Sequence, residues 1–149
     1  MEIRPFEERD FDQLIRAWRA ASVVAHPFLS PEFLDAEVES IRDMYLPVAD
    51  AWVAIEDDQV IGFMALLGQE LGAIFVHPSH WKKGVGHKLM DKAVEMRDNL
   101  SLEVFKENSV ARRFYERYGF TEATTSKHKE TGQTVIRMTY QKARKERHA

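Results

Sequence analysis

Apolar positions along the chain follow two periods, and the changes between them mark its elements. Residues 2–6 read as a short strand. Asp10, with Gln13 three places on, has capping-box spacing, and Phe11, Leu14, Ile15 and Trp18 then share one helical face. Ser30-Pro31-Glu32 is a second helix start, with a cap, an N1 proline and an early acid. Leu34, Val38, Ile41 and Tyr45 follow at helical spacing. After Pro47 the period shortens to two. Residues 51–56 and 60–67 predict a hairpin turning near Asp57-Asp58, and residues 71–76 a further buried strand. Val85, Leu89, Ala93 and Met96 return to helical spacing across 84–96. Leu100, Leu102 and Val104 alternate as a strand. Residues 108–118 predict a helix, with Gly119 suited to its C-terminal cap. Residues 121–126 and 134–140 close the pattern as a hairpin around Thr131-Gly132. The expected fold is mixed α/β, a single domain over residues 1–141 with a mostly antiparallel twisted sheet of six or seven strands flanked by helices. A basic tail, 142–149, is expected to fray.

Composition narrows the function classes. The chain has 149 residues, 44% of them hydrophobic, which suits one domain with a real core. A net charge of −3 argues against a general nucleic-acid binder. The absence of cysteine excludes disulfides, thiolate metal sites and a cysteine nucleophile. No apolar run approaches the roughly 18 residues of a membrane span, and Met1-Glu2-Ile3-Arg4 lacks the apolar region of a signal peptide. A soluble cytoplasmic protein is the default expectation. His77, His80 and His87 lack the helical His-x-x-x-His spacing of a metal site, so no metal is expected.

The candidate chemistry lies at one turn. An apolar strand ends in Val76-His77-Pro78, and Trp81-Lys82-Lys83-Gly84-Val85-Gly86-His87 then opens a helix. Helix N-termini carry unpaired N–H donors and partial positive charge, and glycine lets a ligand approach the backbone. A lone Gly-x-Gly reads equally well as an ordinary helix-entry turn. It is neither the dinucleotide fingerprint, since Leu89 stands where a third glycine would be, nor a P-loop. Lys82, Lys83 and Lys88 oppose the helix dipole unless an anion sits there.

The order of elements, together with these residues, resembles the GNAT acetyltransferase superfamily, and the resemblance covers almost the whole chain. Val76-His77-Pro78 followed by Gly84-Val85-Gly86 matches the family's first signature, with Trp81 where the family usually has Gln or Arg. Asn108, Ala111, Tyr115, Gly119 and Phe120 match the second. The resemblance implies an acetyl-CoA-dependent N-acetyltransferase acting by direct attack of a primary amine, with no acyl group held on the enzyme. It implies that Lys82, Lys83, Gly84, Val85, Gly86 and His87 receive the pyrophosphate of acetyl-CoA. Ile74, Phe75 and Val76 would pair with its pantetheine arm where this strand splays from the next, and Asn108 would contact the same arm. Tyr115 would protonate the departing thiolate.

Each residue also has a plainer reading. Tyr115 fits a core aromatic, Asn108 a helix N-cap, and Glu103 a solvent-facing strand carboxylate. Glu103 is also the first candidate for the general base, because an ammonium must lose its proton before it attacks. His77 is the alternative base, and His26 a candidate acceptor contact. The acceptor is expected to be shaped by residues 22–45 and 124–134, including Phe28, Phe33 and Glu37. A small-molecule amine and a protein or peptide amine both fit, and so do a monomer and a homodimer. The competing class is a non-catalytic acyl-CoA-binding module on the same fold.

Overall fold

The computed structural model describes residues 1–142; the expected basic tail beyond Lys142 lies outside them. Seven strands form one sheet: β1 (Glu2–Pro5), β2 (Asp50–Glu56), β3 (Gln59–Leu67), β4 (Glu70–Val76), β5 (Asn99–Phe105), β6 (Thr121–Lys127) and β7 (Thr134–Gln141). Their spatial order is β1-β2-β3-β4-β5-β7-β6. Every neighbouring pair is antiparallel except β4 and β5, which run parallel. Four helices flank the sheet: α1 (Phe11–Ala25), α2 (Pro31–Ser40), α3 (Val85–Met96) and α4 (Ser109–Tyr118). A π-helical turn, Ile41–Tyr45, extends α2. Among the described residues no helix is long and apolar enough to cross a membrane.

The expected elements are present, with local differences that have physical causes. Glu7, rather than Asp10, caps the turn before α1, and Asp10 returns the bond to the Glu7 N–H. The Asp10 carboxylate is buried and takes a bidentate pair from Arg4 at 2.8 and 2.9 Å, which ties β1 to α1. That guanidinium holds the carboxyl below the usual range. Gln13, freed from capping, accepts instead from the Val60 N–H at 2.7 Å.

Two cores cover the two faces of the sheet. Leu89, Met90 and Ala93 of α3 pack with Met64, Leu102 and Met138 on one face. Leu14 and Trp18 of α1 pack with Leu34, Val53 and Phe63 on the other. Strand β4 was expected to be buried throughout. Only Leu71 is; Gly72 is exposed and Ala73 to Val76 are half-buried, because one edge of the strand faces open space.

Gly72 gives β4 its shape. Ala65 pairs with Ala73 and Leu66 with Leu71, so Gly72 is an unpaired extra residue, a β-bulge. A Cβ there would lie 1.6 Å from the Tyr45 hydroxyl and 2.7 Å from its Cζ. A side chain at residue 72 would therefore force the Tyr45 ring to shift from its place over the bulge. Gly72→Ala is expected to lower stability by about 1–3 kcal/mol in denaturant unfolding, the usual range for overpacking. The cost should shrink in a Tyr45→Ala background, where the obstructing ring is gone. An equal cost in both backgrounds would place the conflict elsewhere.

Candidate functional site

Parallel strands β4 and β5 are registered at one pair, Glu70 with Ser101. Beyond it they diverge, and a cleft of about 1030 Å³ opens between them. Gly72 to Val76 form one wall and Leu102 to Phe105 the other. The His77 N–H bonds to the Ile61 carbonyl on the β3 side. Backbone direction alternates along a strand, so Ile74 and Val76 turn their peptide groups toward the cleft and Phe75 turns its own toward β3. The Val76 carbonyl is taken by the Trp81 indole N–H at 2.6 Å. Trp81 thus anchors the end of β4.

At the mouth on the α3 side stands the glycine turn. Gly84 caps α3 with φ +81°, a conformation suited to glycine, and a Cβ there would meet nothing within 4 Å. Lys82 also has positive φ, at 64°. No side chain caps α3, whereas Ser30 caps α2 and Asn108 caps α4. The first amides of α3 are therefore left to an outside acceptor. Gly86 packs against Phe114 at an ordinary distance, 3.6 Å from an added Cβ to Cζ. Lys82, Gly84, Val85, Gly86 and His87 line the cleft, and Lys83 does not. His87 is also held by Asp91 at 3.2 Å.

Asn108 sits where both walls meet α4. Its Oδ1 accepts from the Ala111 N–H at 3.1 Å, so its Nδ2 is the group 3.0 Å from His26 Nε2. The amide can only donate there, which makes Nε2 the acceptor and fixes a neutral imidazole protonated at Nδ1. His26 is buried, and burial lowers its pKa from 6.5 to about 4. Tyr115 is buried against Phe114 and Phe120, yet it lines the cleft. Its hydroxyl has no partner among the described residues and is not sealed from the cavity. Burial pushes its phenol above the ordinary tyrosine range. Tyr118, three residues later, donates to Asp91 Oδ1 at 2.5 Å.

Glu103 lies on the face of β5 opposite Leu102 and Val104, as alternation requires, and borders the cleft. It is not free: Arg137 Nη2 donates to its Oε1 at 2.8 Å, and Nη1 of the same guanidinium reaches Glu70 at 3.1 Å. His77 does not line the cleft; its Nδ1 accepts from the Ser79 N–H at 3.2 Å. His26, Phe33 and Glu37 border the cleft, and Phe28 stands behind them in edge contact with His26. Among the described residues no group of His, Asp or Glu is arranged to hold a metal ion.

Four contributors were missed in the sequence. Arg137 sits in an alternating strand with nothing to mark its two acidic partners. Tyr45 reads as one more apolar helical position. Phe105 and His128 both border the cleft, and their meeting depends on how the chain returns through β7. Tyr45 and His128 fall within the expected acceptor segments 22–45 and 124–134, whereas Arg137 and Phe105 carried no signal.

Comparison with known proteins agrees with this geometry. Residues 47–122 match the family model for the acetyltransferase (GNAT) domain. The peptidyl-lysine N-acetyltransferase YjaB of Salmonella typhimurium is 34% identical over 121 residues, covering 80% of this chain and 83% of that protein. The solution structure of apo-form YjaB from Escherichia coli superposes with a TM-score of 0.82 at 30% identity, over 93% of this chain and 96% of the other. A putative streptothricin acetyltransferase from Bacillus anthracis, solved in complex with acetyl coenzyme A, shares the fold at a TM-score of 0.57 and 22% identity, over 64% of each chain.

The buried His26 makes stability depend on pH. Between its folded value of about 4 and the ordinary 6.5, the unfolded chain holds a proton that the folded chain refuses. Stability from this group is therefore complete above pH 6.5 and is lost as pH falls toward 4. The difference amounts to about 3 kcal/mol at its limit. Urea unfolding between pH 7 and pH 4 should show it, and His26→Gln should flatten that part of the profile. An unchanged slope in the variant would assign the acid sensitivity to other groups.

Proposed function

The chain belongs to the GNAT acetyltransferase family, and from that premise we propose that it transfers an acetyl group from acetyl coenzyme A to the side-chain amine of a lysine in a protein or peptide. The observation that carries this reading is the divergence of β4 from β5 directly above an uncapped helix start, with the Tyr115 hydroxyl open to the same cleft. Relatives named as peptidyl-lysine N-acetyltransferases support a protein or peptide amine over a small molecule. The acetyl-CoA complex of a protein with this fold supports the donor.

The residues present fit that donor. The free amides at Val85, Gly86 and His87 suit a pyrophosphate, with Lys82 adding positive charge. Lys83 does not line the cleft and is left with a long-range electrostatic part. The cleft-facing N–H and C=O of Ile74 and the N–H of Val76, whose carbonyl Trp81 holds, suit the amides of a pantetheine arm, which would add to β4 like a strand. Phe75 contributes its side chain, stacked on Phe63 at 5.8 Å. Asn108, fixed by its capping bond and by His26, offers its remaining amide hydrogen to the same arm. Acetyl coenzyme A supplies the activated acyl group, as a thioester.

The protein's part is positioning and proton transfer. The acceptor amine loses a proton to Glu103, directly or through water, and its lone pair becomes available for attack. Arg137 keeps that carboxylate in one place. A C–N bond forms and a C–S bond breaks, with backbone N–H groups of β4 turned toward the carbonyl oxygen. Tyr115 gives its proton to the leaving sulfur. Much of the acceleration comes from holding the two reactants in register.

Tyr115→Phe removes only a hydroxyl from a packed ring. Steady-state turnover is expected to fall at least tenfold, toward the about 10²–10⁴-fold usual for a general acid, with acetyl-CoA affinity by calorimetry nearly unchanged. Because burial raises the Tyr115 pKa above its ordinary value near 10, the wild-type rate should show no loss from this group up to about pH 10. Tyr118→Phe is the control: it forfeits the bond to Asp91 and some stability, but the folded variant keeps its turnover. Equal rates in Tyr115→Phe and wild type would leave the thiolate to solvent. Glu103→Gln should likewise cost about 10²–10⁴-fold in rate at neutral pH without weakening the cofactor. A fall below about threefold, far short of general-base size, would transfer the base role to water.

A further inference from the structure

The acceptor side of the cleft is built from rings in an unbroken series. Phe33 of α2 meets His128 at 6.3 Å, His128 meets Phe105 at 5.4 Å, and Phe105 meets His26 at 5.1 Å. His26 then reaches Asn108. The series thus runs from the outer end of the cleft, at the turn between β6 and β7, to the donor side. One turn of α2 beyond Phe33 stands Glu37, which borders the same cleft.

Glu37 is the half-buried acid of α2, whereas Glu32, Asp35 and Glu39 are exposed. Asp35 is paired with Arg19 at 2.6 Å and Asp43 with Arg42 at 3.0 Å. Glu37 has no hydrogen bond or ion pair among the described residues. It is half-buried, and it faces His128 and Glu130 of the turn between β6 and β7. Burial and the repulsion of Glu130 push its carboxyl above the ordinary range, against a smaller opposing effect of His128. Its charge is thus poorly compensated in the free protein, and a cation brought alongside would relieve it. Its neighbours lie at the open end of β5, whereas Glu103 sits nearer the closed end, beside the Glu70–Ser101 pair.

We propose that Glu37 reads a second positive charge on the acceptor, carried by a basic residue beside the target lysine, while Phe33, His128 and Phe105 receive the apolar chain between the two. This rests on the lysine-acetylating reading above and adds a sequence preference to it. Glu37 acts on specificity and takes no part in proton transfer.

The test uses the full chain, acetyl-CoA and three peptides with one acetylatable lysine each, flanked by arginine, alanine or glutamate. Wild type should favour the arginine-flanked peptide over the alanine-flanked one in kcat/KM by about fivefold, the scale of one partly screened ion pair. The effect should lie in KM. Glu37→Gln should bring that ratio close to one, with kcat on the alanine peptide and acetyl-CoA affinity unchanged. Glu37→Lys should favour the glutamate-flanked peptide, and Glu37→Asp should restore part of the original order. Equal use of all three peptides by wild type, or a preference that survives Glu37→Gln, overturns the proposal and leaves the lysine-acetylating function standing. Turnover of no peptide, with acetyl-CoA still bound, overturns both. A free alkyl diamine acetylated more efficiently than any peptide would reassign the charge reader to small diamines and overturn the peptide form.

Discussion

Two parallel strands that meet at a single registered pair set the whole arrangement. A sheet normally closes on itself by pairing every backbone group, and an unpaired peptide inside a fold is costly. Here β4 and β5 are each paired along their outer sides, to β3 (apart from the Gly72 bulge) and β7. They part from one another after Glu70 and Ser101. The Arg137 guanidinium, projecting from β7, holds Glu70 of one strand and Glu103 of the other at 3.1 and 2.8 Å. One cation therefore braces the closed end of the wedge from a third strand. The open end keeps its unpaired peptide groups at the surface of a cleft, where solvent or a ligand can satisfy them.

The wedge also explains why the two sides of the cleft are built so differently. On the α3 side the contributing groups are backbone ones: peptide units of β4 and the first amides of α3. They are fixed by secondary structure and need few side chains. On the α1–α2 side the wall is made of side chains from four separate stretches, joined ring to ring from Phe33 to His26. His26 links the sides by fixing the Asn108 amide, whose other bond caps α4. One side chain, Asn108, thus touches both the acceptor wall and the start of the helix that carries Tyr115.

This difference decides what the sequence could reveal. The strands, the helices, the glycine turn and the second motif are local patterns, and each lies where its periodicity or spacing predicts. The splay between β4 and β5 came from family resemblance rather than from any residue count. Other features depend on contacts between distant segments. Arg137 finds Glu103 across 34 positions, and His26 finds Asn108 across 82. Gly72 looks like a flexible strand position until Tyr45 is seen to occupy the space of its missing side chain. Trp81 breaks the expected pattern as a residue type, yet its indole does a defined job at the Val76 carbonyl. Local propensity carries no trace of such pairings, because they are decided by packing.

The two tyrosines of α4 show the same point within one helix. Tyr115 and Tyr118 are three residues apart, close to the same face, and both are buried. By burial alone either is a candidate acid. Their hydroxyls part them. Tyr118 donates a hydrogen bond to Asp91 at 2.5 Å, and that carboxylate also holds His87 at the glycine turn. A phenol already donating to a carboxylate must break a charge-assisted bond before it can donate elsewhere. Its desolvated ring and the neighbouring negative charge both raise its pKa further. Tyr115, which lines the cleft, has no such partner among the described residues, so no charge-assisted bond holds its hydroxyl. What separates the two hydroxyls is a single carboxylate one helix away.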